Sequence, residues 1–285
     1  MTLIDGKSIS AKVKEEIKSV ASNLAAKGVE PALAVILVGE DAASKTYVAS
    51  KEKACAACGI RSVAHRLSSD VSEAALLELI ENLNEDESID GILVQLPLPK
   101  HIDTNKILEK ISPQKDVDGF SAINVGKLTS GLADGFVPCT PLGVMRLLEE
   151  YGVQIVGKNA VVLGRSNIVG KPMASLLLNA DATVTIAHSK TKDLKRLCAD
   201  ADILVAAVGK AYFVGADMVK QGAVVIDVGI NRGEDGKLRG DVDFDAVAPK
   251  CSFITPVPGG VGPMTIAMLL SNTIKSAKNR LRQRA

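Results

Sequence analysis

Apolar residues in the first part of the chain alternate between helical spacing and unbroken aliphatic runs, which predicts alternating helices and strands. The predicted elements, in chain order, are a helix ending at Gly28, a strand at 32–38, a helix at 44–58, a strand at 61–67, a helix from about residue 70, a strand at 91–96 and a helix at 103–111. Asp70 and Glu73 predict a capping box at the start of the third helix. Such alternation is typical of a parallel α/β sheet.

The second part of the chain resumes this alternation after an irregular passage. Periodicity is lost between 115 and 138, where Gly and Asp accumulate, and this predicts a loop-rich segment. Thr140 as N-cap and Pro141 in the first turn then predict a helix that bridges two domains. Strands are predicted at 160–163, 183–187, 203–208 and 223–228, with helices between the first three, and a last helix from about Met264 to the end.

These elements predict an α/β protein of two domains. The first comprises residues 1–139 together with 264–285, and the second, a Rossmann-type domain, comprises residues 140–263. A chain of 285 residues suits two domains of ~100–200 residues each. Because aromatic residues make up only 3% and Trp is absent, the cores must be built from Val, Ile, Leu and Ala. Helices packed on parallel sheets have such cores.

Charge and composition argue against several classes of partner and location. Lys plus Arg number 34 and Asp plus Glu 33, so no basic surplus indicates a nucleic acid partner. The basic residues between 275 and 284 are interpreted as the solvated end of a helix rather than a polyanion-binding tail. We expect no membrane partner, because no secretory signal and no apolar run of ~20 residues is visible. Five cysteines, an odd number, favour the reducing cytoplasm.

The turn after the strand at 160–163 is the first candidate binding site. A glycine, Gly164, leaves the strand and another, Gly170, enters the next helix, with Pro172 in its first turn. Backbone N–H groups at such a helix start can bind a pyrophosphate. Arg165 and Ser166 fill the middle of the turn, where a second glycine is usual, so a plain strand-to-helix turn stays open.

The end of the next strand favours NADP over NAD. NAD enzymes usually place Asp or Glu there to bind the ribose hydroxyl. Here the segment is His188-Ser-Lys-Thr191, without an acid. Ser189 and Lys190, together with Arg165, could hold the extra phosphate, whereas a carboxylate would repel it. The same residues could also cap a helix that starts near Thr191.

A second candidate site lies on the helix at 44–58. Tyr47 and Lys51 are four residues apart and share one helical face, where a phenol and an amine can form an acid–base pair. Exposed Tyr and Lys at this spacing are nevertheless common. Gln95 ends an aliphatic strand, so it either points towards the ligand-binding edge of the sheet or caps its own strand. Asp116 and Asp118 form either a simple turn or a carboxylate acceptor for two N–H donors of a ring such as a pterin.

A Gly/Pro-dense loop at 255–264 completes the candidate segments, because such a loop lets backbone approach a ligand closely. Taken together, the chain closely resembles the bifunctional methylenetetrahydrofolate dehydrogenase/cyclohydrolase family in its bacterial single-chain form. Six stretches in family order carry the resemblance: Tyr47-Val-Ala-Ser-Lys51, Gly91-Ile-Leu-Val-Gln-Leu-Pro-Leu-Pro99, Lys115-Asp-Val-Asp-Gly119, Pro138-Cys-Thr-Pro141, Gly164-Arg-Ser-Asn-Ile-Val-Gly170 and Pro256-Val-Pro-Gly-Gly-Val-Gly-Pro263.

The resemblance implies a role for each matching residue in oxidising and then hydrolysing a one-carbon unit on tetrahydrofolate. Lys51 is the central acid–base residue, Gln95 tunes its protonation, Tyr47 orients the folate and Asp118 binds the pterin. The implied substrate-binding set is Tyr47, Lys51, Val94, Gln95, Leu96, Asp118, Pro258, Gly259 and Gly260. The implied NADP-binding set is Gly164, Arg165, Ser166, Ser189 and Ile230. Family members are usually homodimers whose active site lies in a cleft between a catalytic domain and an NADP-binding domain.

Metal and redox chemistry are not expected. The three histidines, His65, His101 and His188, lack ligand spacing. Cys55 and Cys58 lie near one helical face, and we interpret them as packing residues rather than a redox pair. The alternative functions are another NADP dehydrogenase, such as a shikimate-type enzyme, and a non-catalytic folate or NADP binding module.

Overall fold

The computed structural model describes residues 1–284, which divide into two compact units. The three-stranded unit comprises Lys12–Cys139 and the chain from Ile266 onward. The six-stranded unit comprises Met1–Ala11 and Thr140–Thr265. No helix in residues 1–284 combines the length and apolarity needed to span a bilayer.

The elements of both units are numbered together along the chain. The strands are β1 Thr2–Leu3, β2 Ala32–Val38, β3 Arg61–Leu67, β4 Gly91–Val94, β5 Asn159–Leu163, β6 Thr183–Ala187, β7 Ile203–Ala206, β8 Val224–Asp227, β9 Asn231–Arg232, β10 Leu238–Arg239 and β11 Phe253–Ile254. The helices are α1 Gly6–Ala25, α2 Ala42–Ala57, α3 Glu73–Glu85, α4 Thr104–Lys110, α5 Ala122–Thr129, α6 Cys139–Glu150, α7 Gly170–Asn179, α8 Leu194–Ala199, α9 Phe244–Val247 and α10 Val261–Arg284.

The three-stranded unit is built on a parallel sheet in the order β3-β2-β4. Every residue of the central strand β2 is buried, as its unbroken aliphatic run predicts. Alternate β2 residues, among them Ile36, pack with Leu76 and Ile80 of α3 in one core cluster. In the same unit, the Arg280 guanidinium on α10 donates to both oxygens of the buried Asp90 carboxylate, at 2.7 and 2.9 Å.

Three details of the predicted helices are wrong. Ser72, not Asp70, caps α3, because the Ser72 hydroxyl accepts from Ala75 N at 3.2 Å. The Asp70 carboxylate bonds to Ser68 instead. The predicted loop at 115–138 contains α5, and α6 begins one residue before Thr140, whose hydroxyl pairs with that of Thr265.

The six-stranded unit has an all-parallel sheet in the order β1-β11-β8-β7-β5-β6, with β9 and β10 as a separate hairpin. Counted from β5, the main strands follow the doubly wound order 2-1-3-4-5. From β5 the chain first adds β6 on one side of it and then returns to add β7 on the other side, so the order of strand addition reverses between β5 and β7. Open α/β sheets bind ligands at this reversal, beyond the carboxyl ends of the strands.

The first eleven residues belong to the six-stranded unit, whereas the sequence pattern predicts one domain from residues 1–139 together with 264–285. The reason is local pairing: Thr2 N donates to Ser252 O and Ile4 N donates to Ile254 O. The boundary between the units therefore falls inside α1 at one end of the chain and inside α10 at the other.

Candidate active site

Helix α2 carries the two candidate catalytic residues nearest the start of the chain. Asp41 caps it, because its carboxylate accepts from Ser44 N at 2.8 Å. Buried Ser44 and Val48 fix one face of the helix against the unit. Lys51 is half-buried, and Tyr47, one turn earlier, is 47% exposed. The phenol is therefore available to a ligand.

Gln95 is placed to hold the Lys51 amine. Its backbone extends β4, because Gln95 N donates to Ile36 O at 2.8 Å. Lys51 Nζ donates to Gln95 Oε1 at 2.9 Å, and Gln95 Nε2 donates to Leu96 O at 2.7 Å. Since a lysine ammonium has no acceptor, the amide must turn its oxygen towards it. The side chain therefore caps its own strand and also reaches Lys51 at the carboxyl edge of the sheet, so the two alternatives that the sequence leaves open do not exclude each other.

The two aspartates after residue 115 have different roles. Asp116 builds the turn: its buried carboxylate accepts from the backbone N–H groups of Gly119, Phe120 and Ser121 and from Asn124 Nδ2. Asp118 is half-buried and takes no part in that turn. Burial raises the pKa of the Asp118 carboxyl, and the positive charge of Lys51 opposes the shift. The interpretation as a turn is therefore correct for Asp116, whereas Asp118 lies with Lys51 and Gln95 in the candidate site.

Two residues outside the predicted site hold the Asp118 segment. Cys139 Sγ lies 3.5 Å from Asp118 Oδ1 and 3.4 Å from Val117 O. Asn272 Nδ2 on α10 donates to Val117 O at 2.8 Å and to Val137 O at 3.0 Å. Burial, with Asp118 nearby, raises the pKa of the Cys139 thiol well above its ordinary value. Cys139 lies in a stretch that carries the family resemblance, whereas Asn272 shows no sequence signal beyond a polar residue on an apolar helix.

The candidate nucleotide turn follows β5 in the six-stranded unit. Gly164 has φ +130°, and a Cβ there would overlap the carbonyl oxygen of Ala207 after β7. A Cβ on Gly170 would overlap the Gly164 carbonyl. Both glycines are therefore required for the tight passage from strand to helix at the edge where the strand order reverses.

We expect Gly164→Ala to lower the free energy of unfolding by at least about 3 kcal/mol, since it adds an overlap to a backbone conformation that is essentially restricted to glycine. Chemical denaturation measures the effect. Gly152→Ala is the matched control, because Gly152 has φ +63° with no atom near its Cβ position, and it should cost only about 1 kcal/mol. Equal costs for the two variants would contradict the close approach.

The turns that follow β5 and β6 are neighbours beside Gly164. Gly164 N donates to Ala187 O at 2.8 Å, so the turn after β5 adjoins the segment after β6. Arg165, Ser189 and Lys190 are all exposed there. His188 N donates to the Thr191 hydroxyl, and α8 begins only at Leu194, so the Ser189 and Lys190 side chains do not cap a helix.

Ser166 has a structural role in the same turn. Its hydroxyl oxygen accepts from Val169 N at 3.1 Å and from Gly170 N at 3.3 Å, which satisfies donors at the start of α7. The hydroxyl proton stays available for a phosphate oxygen, so capping and binding are compatible.

The remaining predicted cofactor residue, Ile230, follows β8 and is 47% exposed. Two buried carboxylates that the sequence pattern does not single out, Asp227 and Asp241, hold the residues on either side of it. Asp227 accepts from Gly229 N, and Asp241 accepts from the side-chain amide of Asn231. Asp227 does leave a signal in the sequence, since it is an acid at the end of the aliphatic run Val224–Asp227.

The predicted loop Pro258–Gly260 lies in the six-stranded unit, whereas Lys51, Gln95 and Asp118 lie in the three-stranded unit. Pro258 is exposed and both glycines are buried. A Cβ on Gly6 would overlap Gly260 O, and Lys7 N donates to Gly259 O at 3.1 Å. The loop therefore packs its glycines on the start of α1.

Cys55 and Cys58 are free and fully buried, as are the other three cysteines. Burial raises the pKa of the Cys55 thiol to about 12 and also raises that of Cys58. Thiols held in the protonated form react slowly, which favours packing roles. Within residues 1–284, no group of three or more His, Cys, Asp and Glu side chains is placed to hold a metal ion.

Comparison with known proteins places this geometry in a family. Residues 4–118 match the catalytic domain of tetrahydrofolate dehydrogenase/cyclohydrolase, and residues 138–281 match its NAD(P)-binding domain. The bifunctional protein FolD of Campylobacter hominis is 72% identical over 283 residues, 99% of each chain.

Solved structures of relatives have the same fold over nearly the whole chain. The bifunctional dehydrogenase/cyclohydrolase FolD of Campylobacter jejuni is 59% identical with a TM-score of 0.97, over 98% of this chain and 99% of that one. The Trypanosoma brucei enzyme, solved with NADP and an inhibitor, is 42% identical with a TM-score of 0.94, over 100% of this chain and 99% of that one. The chain therefore belongs to the tetrahydrofolate dehydrogenase/cyclohydrolase family, with a catalytic domain and an NAD(P)-binding domain.

Proposed function

We propose that this chain is a bifunctional enzyme that oxidises 5,10-methylenetetrahydrofolate with NADP and hydrolyses the resulting methenyl compound to 10-formyltetrahydrofolate. The observation that carries the proposal is the hydrogen bond from Lys51 to Gln95 beside the half-buried Asp118. That arrangement supplies a proton-transferring amine with a fixed partner and a nearby carboxylate. Among relatives, the full-length similarity to proteins named bifunctional FolD supports both activities.

The residues of the three-stranded unit bind folate and move protons. The Asp118 carboxylate accepts N–H donors of the pterin, while Leu96 and the exposed Tyr47 flank the carbon-bearing part of the substrate. Val94 is 3% exposed and packs in the core of the unit, so only its backbone is proposed to line the site. In the hydrolytic step, water adds to the methenyl carbon and Lys51 Nζ takes a proton from it. Only the deprotonated amine can take this proton, and in that form Nζ still donates to Gln95 Oε1. When the bond from this carbon to N5 breaks, Nζ returns the proton to N5, and the remaining hydroxyl proton leaves to solvent as the formyl C=O bond forms. Gln95 Oε1 holds the amine in place throughout.

The residues of the six-stranded unit fit NADP. The glycine turn at Gly164, with Ser166 at the helix start, suits a pyrophosphate, and Arg165 and Ser189 are exposed beside it with no carboxylate at the end of β6. Ile230 flanks the same edge. When bound, NADP accepts a hydride from the methylene carbon, and that step leaves no proton for the protein to remove from the carbon.

The test is an assay of the purified chain with methylenetetrahydrofolate and, in parallel, NADP or NAD. Absorbance is recorded for reduced cofactor and for the methenyl compound. We expect reduced NADP to accumulate with little lasting methenyl compound, because hydrolysis removes it. No reduced cofactor from either nucleotide would reject the dehydrogenase, and persistent methenyl compound would reject the cyclohydrolase.

We further propose that the chain forms a homodimer and acts in the cytoplasm, where its five free thiols would stay reduced. Strand β6 is the edge of the six-stranded sheet, and Ile186 on it is 40% exposed. Leu178, on the adjacent α7, is 61% exposed. An edge strand with exposed apolar side chains beside it is suited to pairing with a second copy.

We expect Ile186→Lys to shift the chain from dimer to monomer, since a lysine on an edge strand opposes strand pairing. Light scattering after gel filtration measures the mass. Ile123→Lys is the control, because Ile123 is 56% exposed on α5 in the other unit and should leave the mass unchanged. A dimeric Ile186 variant would remove β6 from the interface, and a monomeric wild type would reject the homodimer.

A further inference from the structure

Two aspartates in the interior of the six-stranded unit have no role in the chemistry above. Asp241 has no exposed surface and Asp227 is 3% exposed. Asp227 ends β8, and Asp241 follows the β9–β10 hairpin. The Asp227 carboxylate accepts from the backbone N–H of Asp241, so the two residues form one linked structure, which we call the aspartate clamp.

The Asp241 carboxylate holds the turn after β7. It accepts from three consecutive backbone N–H groups and from the Asn231 side-chain amide. The donors are Val208 N at 2.6 Å, Gly209 N at 2.9 Å, Lys210 N at 2.9 Å and Asn231 Nδ2 at 2.9 Å. One carboxylate thereby connects the segment after β7 with the segment after β8.

The Asp227 carboxylate holds the other side of the clamp. Its acceptors bind Gly229 N, Asp241 N and Val242 N, each at 2.9 Å, while Asp227 N donates to the Thr255 hydroxyl at 2.7 Å. A Cβ on Gly240 would overlap the Asp227 carboxylate, and one on Gly229 would overlap that of Asp241. The glycines leave room for the clamp.

The burial of two carboxylates has an energetic cost, which their hydrogen bonds offset. Burial raises the pKa of Asp227 to about 6, with a smaller contribution from the neighbouring Asp241 charge. In the described chain, the recorded donors to both carboxylates are neutral amides. Buried charges without a cation are expensive unless their hydrogen bonds are complete. Six of the seven donors are backbone N–H groups in the segments after β7, β8 and β10, which indicates that the clamp serves loop geometry.

The loops it holds lie at the proposed nucleotide edge. Ala207, just before the clamped turn, packs its carbonyl against Gly164, and Ile230 is the exposed residue between the clamped Gly229 and Asn231. Strand order places β6 on one side of β5 and β7 and β8 on the other. If Arg165 and Ser189 hold the phosphorylated adenosine half beside β6, the nicotinamide half must extend towards β7 and β8.

We propose that Asp241 is a positioning residue for the nicotinamide half of the dinucleotide, acting through the turn at Val208–Lys210 and through Ile230. This inference rests on the proposed NADP binding at the carboxyl edge of the sheet. The residue does not touch the cofactor in this proposal. It fixes the backbone that does.

Asp241→Asn tests the proposal, because the amide keeps the shape but replaces one acceptor oxygen with a donor. Titration calorimetry compares NADP with 2′,5′-ADP, which has the phosphorylated adenosine half and lacks nicotinamide. We expect the Kd for NADP to rise about tenfold or more and that for 2′,5′-ADP to change less than about twofold. Asp245→Asn, an exposed charge removed four residues away, should alter neither.

Any other pattern of Kd changes for NADP and 2′,5′-ADP would speak against a positioning role for Asp241. Equal weakening of both ligands, or no change in either, would overturn the proposal. Should Asp241→Asn fail to fold, Asn231→Ala replaces it, since that variant removes one donor and leaves the three backbone bonds in place. It should weaken NADP about threefold without affecting 2′,5′-ADP. An unchanged NADP Kd in that variant would also overturn it. A wild type that binds neither nucleotide would instead reject the proposed cofactor site.

Discussion

Lys51→Met is expected to lower the cyclohydrolase kcat by about a thousandfold, within the range by which a positioned acid–base group accelerates proton transfer. Methionine keeps an unbranched side chain at this position of α2 and removes the amine that donates to Gln95 Oε1. Hydrolysis then has no group at this position to take the proton from water. The decay of methenyltetrahydrofolate absorbance, corrected for the uncatalysed reaction, gives kcat directly.

The control separates chemistry from folding. Lys53→Met removes the same charge from an exposed position on the same helix and should leave kcat within about twofold of wild type. NADP binding should survive in both variants, because Lys51 and the glycine turn belong to different units. Hydrolysis at a near-normal rate in Lys51→Met would refute the proposed role of the lysine, even if the assay of the wild type confirmed both activities.

The sequence predicts the order and type of most elements because helical and strand periodicities differ strongly in an aliphatic chain. Strands β2, β3 and β6 have the predicted bounds, and the family resemblance is confirmed. A predicted helix start is wrong where two neighbouring residues are both suitable N-caps. Asp70 and Ser72 are both good caps, and only the packing of Leu76 and Ile80 decides which one starts the helix.

The candidate site is less accessible from sequence than the fold. Periodicity places Lys51 on a helix and Gln95 at a strand end, but only parallel pairing of β2 with β4 brings them within 2.9 Å. The sequence gives no reason to choose between Asp116 and Asp118 as the ligand-binding carboxylate. In the structure, hydrogen bonds assign Asp116 to the turn, and the burial of Asp118 beside Lys51 distinguishes it. Asn272 and Asp241 act through contacts distant in the chain, which no local pattern records.

The exposed side chains beside Gly164 favour a nucleotide that carries an extra phosphate. Arg165 follows Gly164, and Ser189 and Lys190 follow the adjacent strand β6. All three are exposed, and the segment contains no carboxylate to bind a ribose hydroxyl. A guanidinium recognises a phosphate by two parallel hydrogen bonds, whereas it gains little from a neutral hydroxyl. Arg165 should therefore discriminate between NADP and NAD.

Arg165→Ala is expected to raise the KM for NADP by roughly 10–100-fold, the range that one charge-assisted hydrogen-bonding group provides, and the KM for NAD by less than about twofold. Initial rates of methylenetetrahydrofolate oxidation with each cofactor measure both constants. Lys158→Ala is the control: Lys158 precedes β5, so it lies at the amino edge of the sheet, away from the phosphate. Because NAD lacks only the 2′-phosphate, equal effects on the two cofactors would mean that Arg165 contacts a shared part of the nucleotide, and the argument for NADP from this turn would fail.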